Sequence, residues 1–172
     1  MNATAENNRS EDQEIKLAVF MLDGQSYAID IMKIKQIIRP LKITRLPKAP
    51  DFLEGMINLR GVFIPVIDMR KRFQLGPRDP KQEGKVIIAA VEHRIVGVMV
   101  DEVTEVIPVP KAEIQPPPRV IRGVESTYLL GVCRYQDEIL LILNLDEILT
   151  AEEISTLIAL SGPEPRPVEK RG

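Results

Sequence analysis

The chain is built from short, mostly apolar runs separated by turn-forming residues, and this spacing constrains the fold more than any other feature. The runs are three to six residues long and occupy positions 17–22, 27–29, 34–38, 55–59, 62–67, 86–91, 95–100, 103–107, 128–133 and 139–143. Strand-length runs at such intervals are typical of small β-barrels or sandwiches. Because aromatic residues make up only 4% of the chain, the core must be mainly Ile, Val and Leu, which favour strands. The sequence therefore predicts an all-β fold.

Turn residues mark several of the connections between these runs. Asp23-Gly24 is a strong hairpin signal, and residues 92–94 form a second tight connection between two apolar runs. Pro65 interrupts a strand-like run. Since proline cannot donate a hydrogen bond to the ladder, its position predicts an edge strand or a bulge.

Helical signals are few and short. Residues 51–54, followed by Gly55, predict a single helical turn that ends at the glycine. Thr150 and Glu153 have the spacing of a capping box and predict a helix over 151–160. Its apolar side chains are expected on one face, which would pack against a barrel; they are Ile154, Leu157 and Ile158.

A weak internal repeat divides the chain into two similar parts. The apolar pattern of residues 27–38 returns 69 positions later, and that of 63–73 returns 76 positions later. Such self-similarity predicts two related β-lobes, drawn at roughly 15–84 and 85–149. The polar, acidic segment 1–14 and the Pro- and charge-rich segment 161–172 are expected to be disordered tails.

No group of residues has the chemistry of an active site. His93, the only histidine, falls in a predicted turn, where a solvated role is expected. Cys133 is the only cysteine and lies in an apolar run, as a buried structural thiol does. The carboxylate pairs 101–102 and 146–147 are adjacent on strands, so the members of each pair point to opposite faces and are interpreted as solubilising charges. No metal-ligand cluster or phosphate-binding loop is present, and neither an enzyme nor a cofactor is predicted.

Charge is distributed unevenly along the chain. Residues 31–72 contain ten bases and three acids, whereas residues 101–160 contain four bases and eleven acids. This dipolar pattern suits docking to charged partners, although ordinary solvated faces would explain it equally well. The pI of about 5.6 and the lack of interleaved aromatic residues argue against nucleic-acid binding. The remaining class is a protein–protein interaction module.

Two further absences bear on where the protein is expected. The N-terminus has no apolar signal-peptide core, and no apolar run approaches the ~20 residues needed to span a bilayer. A cytoplasmic protein without direct membrane insertion is expected.

The residues of the central block are specific to one known family. Residues 52–70, FLEGMINLRGVFIPVIDMR, resemble the signature of the CheW coupling proteins of bacterial chemotaxis. Three further blocks, at 27–37, 96–103 and 128–149, agree with that family in order and spacing. The resemblance covers roughly residues 17–160 and places a CheW-like domain at 15–160.

Membership of this family would imply two five-stranded SH3-like β-barrels with short helices and no catalytic activity or cofactor. The family links the cytoplasmic tip of transmembrane chemoreceptors to the regulatory domain of the histidine kinase CheA, within receptor arrays at the membrane. An alternative within the same family is an adaptor of a non-flagellar chemosensory pathway that controls surface motility or a second messenger.

The resemblance also assigns contact residues. The receptor contact maps to five positions, which are Ile34, Gln36, Gly55, Asn58 and Arg60. The kinase contacts map to a first group and a second group, which are Ile43, Thr44 and Arg45, and Gln115 and Val120. Structural roles remain open for three of the receptor residues: a core position for Ile34, a helix stop for Gly55 and an internal ion pair for Arg60.

Overall fold

A computed structural model describes residues 13–121 and 124–161. Twelve strands are described: β1 (Glu14–Leu22), β2 (Gln25–Asp30), β3 (Ile34–Ile38), β4 (Leu53–Leu59), β5 (Val62–Asp68), β6 (Lys85–Val91), β7 (Arg94–Val100), β8 (Glu102–Pro110), β9 (Val120–Ile121), β10 (Val124–Glu125), β11 (Leu129–Tyr135) and β12 (Glu138–Leu143). The described helices are α1 (Met69–Arg72) and α2 (Ala151–Ser161), with 3-10 turns at Ile31–Lys33, Lys111–Glu113, Ser126–Tyr128 and Leu145–Glu147.

Ten of these strands form two five-stranded sheets. The first has the order β11-β12-β2-β1-β8 and the second the order β3-β6-β7-β5-β4, while β9 and β10 pair in a small ribbon. A backbone bridge from Gln115, after β8, to Val132 in β11 closes the first sheet into barrel 1. A bridge from Thr44, after β3, to Met56 in β4 closes the second into barrel 2. The predicted all-β fold of two five-stranded barrels is confirmed.

The barrels do not follow the two lobes drawn at 15–84 and 85–149. Barrel 1 takes β1 and β2 from the first part and three strands from the second, and barrel 2 takes β6 and β7 from the second part and three strands from the first. The repeat itself is present, since Ala28 pairs with Ile142 as Gly97 pairs with Val66. The first hairpin of each repeat therefore belongs to the barrel whose other three strands come from the other repeat. Sequence similarity marks the repeats, but long-range strand pairing decides which strands share a barrel.

Tight hairpins connect consecutive strands of each repeat. The predicted turns at Asp23-Gly24 and 92–94 are both present, with positive φ at the two central residues, as type I′ turns require. The β4–β5 and β11–β12 hairpins turn at Arg60-Gly61 and at 136–137 with the same signs of φ. The lengths of the apolar runs and the positions of these turns therefore reflect one hairpin geometry used four times in the described chain.

Apolar side chains are buried in three clusters. One lies inside barrel 1 and draws residues from all its strands, and one lies inside barrel 2. The largest, here called the inter-barrel cluster, joins strands of both barrels with α1 and α2 and includes Phe20, Tyr27 and Phe73. Successive residues of one strand point to opposite faces and belong to different clusters. On β1, for example, Val19 lies inside barrel 1 and Phe20 lies between the barrels. The two barrels are therefore packed as one unit.

One local prediction was wrong and another is confirmed only in part. Residues 51–54 do not form a helical turn, because β4 already begins at Leu53 and Gly55 lies within it. Pro65 is on β5, which lies between β4 and β7 and is not an edge strand, but the predicted bulge is nearby, since the β4–β5 register shifts between Leu53 and Gly55. The strand tolerates Pro65 because its parallel pairing with β7 starts only at Val66.

The C-terminal helix is confirmed with its cap. The N–H of Glu153 donates to the Thr150 hydroxyl at 3.1 Å, and the N–H of Thr150 donates to the Glu153 carboxylate at 2.8 Å. Leu157 is buried and Ile154 packs against the inter-barrel cluster, but Ile158 is largely exposed. The helix thus uses a narrower apolar face than the sequence suggested.

The predicted tails 1–14 and 161–172 lie almost entirely outside the described residues. Glu14, assigned to the first tail, begins β1, and Ser161 ends α2. No helix in the described ranges has the length and apolar character needed to cross a membrane.

Candidate protein-interaction surface

Each barrel closes at a seam, defined here as the place where the segment after one edge strand bonds to the opposite edge strand. In barrel 2 the seam consists of two backbone hydrogen bonds between Thr44 and Met56, at 2.8 and 2.9 Å. In barrel 1 it consists of two bonds between Gln115 and Val132 at the same lengths. The seams occupy equivalent positions in the two repeats.

A glycine makes each seam possible. A Cβ on Gly55 would lie 2.4 Å from the carbonyl oxygen of Thr44, and one on Gly131 would lie 2.7 Å from that of Gln115. Real Cβ atoms do not approach backbone atoms so closely, so only glycine fits at either place. The alternative role of Gly55 as a helix stop is wrong, because Gly55 lies within β4. Its backbone is instead contacted closely by the backbone of Thr44.

The first kinase group lies at the seam of barrel 2. Ile43 packs against the interior of barrel 2, whereas Thr44 and Arg45 are exposed. The Arg45 side chain is 81% exposed and approaches the Glu54 carboxylate at 3.5 Å, and Lys71 pairs with the same carboxylate at 2.6 Å. These charged residues line a surface depression of about 300 Å³.

The second kinase group lies at the other seam. Gln115 is exposed and bridges to β11 through its backbone. Val120 pairs with Glu125 in the β9–β10 ribbon, and its side chain is outside the described part of the chain. Thr44 and Gln115, assigned to two separate kinase contacts, therefore occupy equivalent seam positions in the two barrels.

The receptor group is divided between β3 and the β4–β5 hairpin of barrel 2. Ile34 and Gln36 are half-buried on β3, and Ile34 packs against the inter-barrel cluster. Asn58 is exposed, and its side-chain oxygen accepts the N–H of Gly61 at 2.8 Å, which stabilises the hairpin turn. Arg60 is exposed at the first central position of that turn with φ 54.

The structural alternatives for Ile34 and Arg60 have different outcomes. Ile34 contributes to packing but keeps an exposed part at the margin of the inter-barrel cluster. Within residues 13–121 and 124–161, Arg60 has neither an ion pair nor a side-chain hydrogen bond. Its guanidinium is therefore available to a partner on this part of the surface.

A buried ion cluster lies at the junction of the barrels, and the sequence analysis did not predict it. The Arg70 guanidinium donates two hydrogen bonds to the Asp101 carboxylate, at 2.7 and 2.6 Å, and Arg78 donates a third at 3.2 Å. The backbone N–H of Asp23, in the β1–β2 turn, donates a fourth at 2.9 Å. Asp101 is thus a structural tie between the barrels and not a solubilising charge.

The environment of this cluster keeps both partners charged. Burial alone would raise the pKa of Asp101, but the hydrogen bonds from Arg70, the Asp23 N–H and Arg78 outweigh it and hold that pKa below its ordinary value. The hydrogen bond to Asp101 raises the pKa of Arg70 despite burial. No sequence signal distinguishes Asp101 from the exposed Glu102 beside it, since only the fold buries one and not the other.

A second, weaker tie lies at the equivalent place of the other repeat. The Lys33 ammonium pairs with Asp146 at 3.0 Å, and the Asp146 carboxylate accepts the N–H of Glu92 at 3.1 Å. That backbone bond and the Lys33 pair lower the pKa of Asp146 against partial burial. Asp146 therefore joins the two repeats and does not merely solubilise a strand end.

The described residues offer little to catalysis. No three His, Cys, Asp or Glu side chains within them are placed to hold a metal ion. His93 is exposed in its turn, and burial raises the pKa of the Cys133 thiol. Within the ranges that the structure describes, the two barrels thus expose their seams but bring no group of reactive side chains together.

Comparison with known proteins identifies the family. The family model for the CheW-like domain matches residues 16–153, and the chain belongs to this family. It is 34% identical over 155 residues to the chemotaxis protein CheW of Treponema pallidum, covering 87% of this chain and 90% of that protein. Over 143 residues it is 34% identical to CheW of Bacillus subtilis, covering 83% and 92%.

A solved structure agrees with the fold. The crystal structure of the scaffolding protein TtCheW from Thermoanaerobacter tengcongensis superposes with a TM-score of 0.75 at 34% identity, covering 81% of this chain and 90% of that one. The chain is accordingly a non-catalytic scaffold protein of the chemotaxis system.

Proposed function

We propose that this chain couples chemoreceptors to the histidine kinase CheA, with the receptor tip and the kinase regulatory domain as its two partners. The supporting observation is the placement of the assigned residues in barrel 2. The receptor positions on β3 and β4 flank the seam segment with Ile43, Thr44 and Arg45. Partners bound there would lie side by side on one rigid barrel, and proximity on a rigid support is what coupling requires.

The equivalent seam of barrel 1 supports a second contact. Gln115 and Val120, at and near that seam, are proposed to meet a second kinase regulatory domain. A molecule with two similar seams on opposite barrels can join two partners in a row, as an extended array needs. Recruitment to receptor arrays on the cytoplasmic side of the membrane is part of the same proposal.

Kinase activation tests the proposal. CheA autophosphorylation is measured with receptor-containing membranes, with and without this chain, and is expected to rise only when all three components are present. No rise, together with no calorimetric binding to the CheA regulatory domain, would contradict the coupling role.

Arg60 provides the sharpest variant. Arg60→Ala is expected to reduce receptor binding severalfold, because the exposed guanidinium is suited to bidentate contacts with carboxylates. Gln136→Ala is the matched control, since Gln136 occupies the equivalent turn position of barrel 1 with φ 49. Circular dichroism must show both variants folded. Equal receptor binding by the two folded variants would remove Arg60 from the site.

A further inference from the structure

The 3-10 turn Ile31–Lys33 carries the chain from β2 of barrel 1 to β3 of barrel 2, and none of its side chains is buried. The Asp30 carboxylate caps the turn by accepting the N–H of Met32 at 2.9 Å, and the N–H of Ile34 donates to the Ile31 carbonyl. These bonds stabilise the turn itself. Because burial contributes little, the position of the turn relative to barrel 1 depends on polar contacts with neighbouring elements.

Asp146, in the 3-10 turn after β12 of barrel 1, supplies such a contact. The Lys33 ammonium donates to one oxygen of its carboxylate at 3.0 Å, and the other oxygen accepts the N–H of Glu92 at 3.1 Å. Asp146 is itself held by the Asn144 side chain, which accepts its N–H at 3.2 Å. One carboxylate of barrel 1 therefore connects two places of barrel 2, the turn before β3 and the turn between β6 and β7.

These two places belong to neighbouring strands, and the pairing of β3 with β6 is irregular at this end. Ile34 pairs with Ala89, but the register shifts before Gln36, so Lys35 is left as an extra residue. A bulge of this kind bends a strand and changes the direction of its side chains. The orientation of Ile34 and Gln36, two of the assigned receptor positions, therefore depends on how the first residues of β3 are held.

We propose that Asp146 is a positioning residue of the receptor contact, an inference that rests on the proposed coupling function. Asp146 acts through Lys33 and the Glu92 N–H and does not itself contact the receptor. It fixes the bulged start of β3 against barrel 1, so that Ile34 and Gln36 are presented in one orientation. Such preorganisation reduces the ordering that binding would otherwise require. Neither Asp146 nor Lys33 is among the positions that the family resemblance assigns.

A direct contact between Lys33 and the receptor is the competing explanation. The Lys33 side chain is 42% exposed and lies one residue before Ile34. A double-mutant cycle separates the two explanations. Its members are the wild type, Lys33→Gln, Asp146→Asn and the double variant. Binding of each to a soluble signalling fragment of a chemoreceptor from the same genome is measured by calorimetry.

Each single variant is expected to bind about two- to threefold more weakly, which is the range of one exposed ion pair. The double variant should bind as the single variants do, because the same tie is broken in all three. Asp146→Asn keeps an oxygen that accepts the Glu92 N–H, so the change is confined to the ion pair. If Lys33→Gln weakens binding further in the Asp146→Asn background, Lys33 contacts the receptor directly and the inference is overturned.

Binding to the CheA regulatory domain separates positioning from general loosening of the fold. The seam residues Thr44 and Met56 are joined by their own backbone bonds, so the kinase affinity of both single variants should equal that of the wild type. Glu147→Gln and Lys16→Gln remove the same charges at exposed positions and should change neither affinity. A parallel loss of receptor and kinase affinity in Asp146→Asn would show that the tie only supports the fold.

The outcomes also separate this inference from the coupling function. If the wild type binds the fragment and activates CheA while Asp146→Asn binds as tightly, only this inference fails. If the wild type neither binds nor activates, both fail. Circular dichroism checks that each variant is folded. Should Asp146→Asn not fold, Asp146→Ser takes its place in the cycle, since a hydroxyl oxygen also accepts an N–H.

Discussion

Gly55 and Gly131 each lie where the backbone of a seam segment passes the adjacent strand. The neighbours of each are a carbonyl oxygen and a methyl group of a half-buried isoleucine, and the backbone oxygen cannot move aside as the end of a flexible side chain would. The family motif presents Gly55 as a receptor contact, whereas its geometry gives it a structural duty that Gly131 repeats in the other barrel. Barrel closure alone explains why this chain has glycine at both positions.

Gly55→Ala is expected to destabilise the fold by about 1–3 kcal/mol, the usual cost of forcing extra atoms into a packed site. At this chain length that corresponds to a lower Tm by about 2–4 °C per kcal/mol. Thermal unfolding followed by circular dichroism measures it. Gly76→Ala is the control, because nothing lies within 4 Å of a Cβ built there. Equal Tm values for the two variants would contradict the seam explanation.

The Arg70–Asp101 pair makes stability depend on acid pH. The ordinary pKa of Asp101 is 3.8, and its value in the folded protein is lower. A group whose pKa is depressed by folding contributes stability above its unfolded pKa, and the contribution is lost as the pH falls through the folded pKa. The wild type should therefore lose this part of its stability only on strong acidification.

Asp101→Asn tests this at neutral and at acidic pH. Removing this partner leaves the buried Arg70 guanidinium with only the exposed Asp23 carboxylate, at 3.8 Å, so a loss of about 3 kcal/mol is expected near neutral pH. The difference from the wild type should shrink as the pH falls below 3.8 and through the lower, folded-state pKa of Asp101, because the wild-type carboxylate is then protonated too. Urea unfolding measures both values, with the exposed Glu102→Gln as control. A difference that stays constant with pH would show that the charge of Asp101 is not what stabilises the cluster.

Among the elements, α2 is attached to the barrels by apolar contacts of Ile154 and Leu157 and by one charged side chain, that of Glu153. The Glu153 carboxylate accepts the Thr150 N–H and two hydrogen bonds from Arg72, at 2.6 and 2.8 Å. The Arg72 guanidinium also lies 5.5 Å from the ring centroids of Phe52 and Tyr128. Burial would raise the pKa of Glu153, but Arg72 and the Thr150 N–H lower it. Glu153 therefore both caps α2 and attaches it to Arg72 of α1.

Glu153→Ala is expected to cost about 2 kcal/mol, because a cap and a charge-assisted pair are lost together. Hydrogen exchange of the amides of 151–161 should accelerate before that of the barrel strands does. Glu152→Ala, one residue away and exposed, should leave exchange unchanged. Equal acceleration in both variants would mean that helix propensity, and not docking, holds α2.

A feature of the fold was predictable when the residues that determine it are close together in the sequence, and was not when they are far apart. The hairpin turns at Asp23-Gly24 and 92–94 and the α2 cap depend on residues within four positions of one another, and the sequence predicts them correctly. The turns at 60–61 and 136–137 were not predicted. The error at 51–54 arose because a short acidic segment before a glycine satisfies helix rules, while pairing of β4 with β5 decides otherwise. Residue Asp101 was misinterpreted because its partner Arg70 lies 31 positions away.

The candidate surface was predictable only through family resemblance. Nothing in the local pattern distinguishes Asn58 or Arg60 from other polar residues of a turn. The structure adds that Arg60 is exposed at the first central position of a turn and that Thr44 and Gln115 are equivalent.

In the whole molecule, the exchange of the first hairpins gives the two barrels net charges of opposite sign. Residues 31–100, which supply barrel 2, contain fourteen bases and six acids. Residues 14–30 and 101–149, which supply barrel 1, contain five bases and twelve acids. One barrel is therefore basic and the other acidic, and partners of opposite charge would be steered to different ends of the molecule.

The same exchange predicts how the chain behaves when divided between its repeats. Residues 1–84 lack the β6–β7 hairpin of barrel 2 and three strands of barrel 1, so this fragment should be unfolded by circular dichroism. Residues 85–172 should be unfolded alone for the same reason. Mixing the two is expected to restore a cooperative unfolding transition, since every missing strand is then present. A cooperatively folded 1–84 fragment would contradict the exchanged topology.

The exchanged topology also affects the order in which the nascent chain can be completed. All strands of barrel 2 lie between residues 34 and 100, so they leave the ribosome in one block. The β1–β2 hairpin is made earlier, yet its neighbours β8 and β12 follow only by residue 143. At about 5–20 residues per second, that delay is about 6–23 s. During it, Leu17 has no barrel interior to enter and Phe20 lacks the rest of the inter-barrel cluster, so a chaperone would find apolar side chains uncovered on the hairpin.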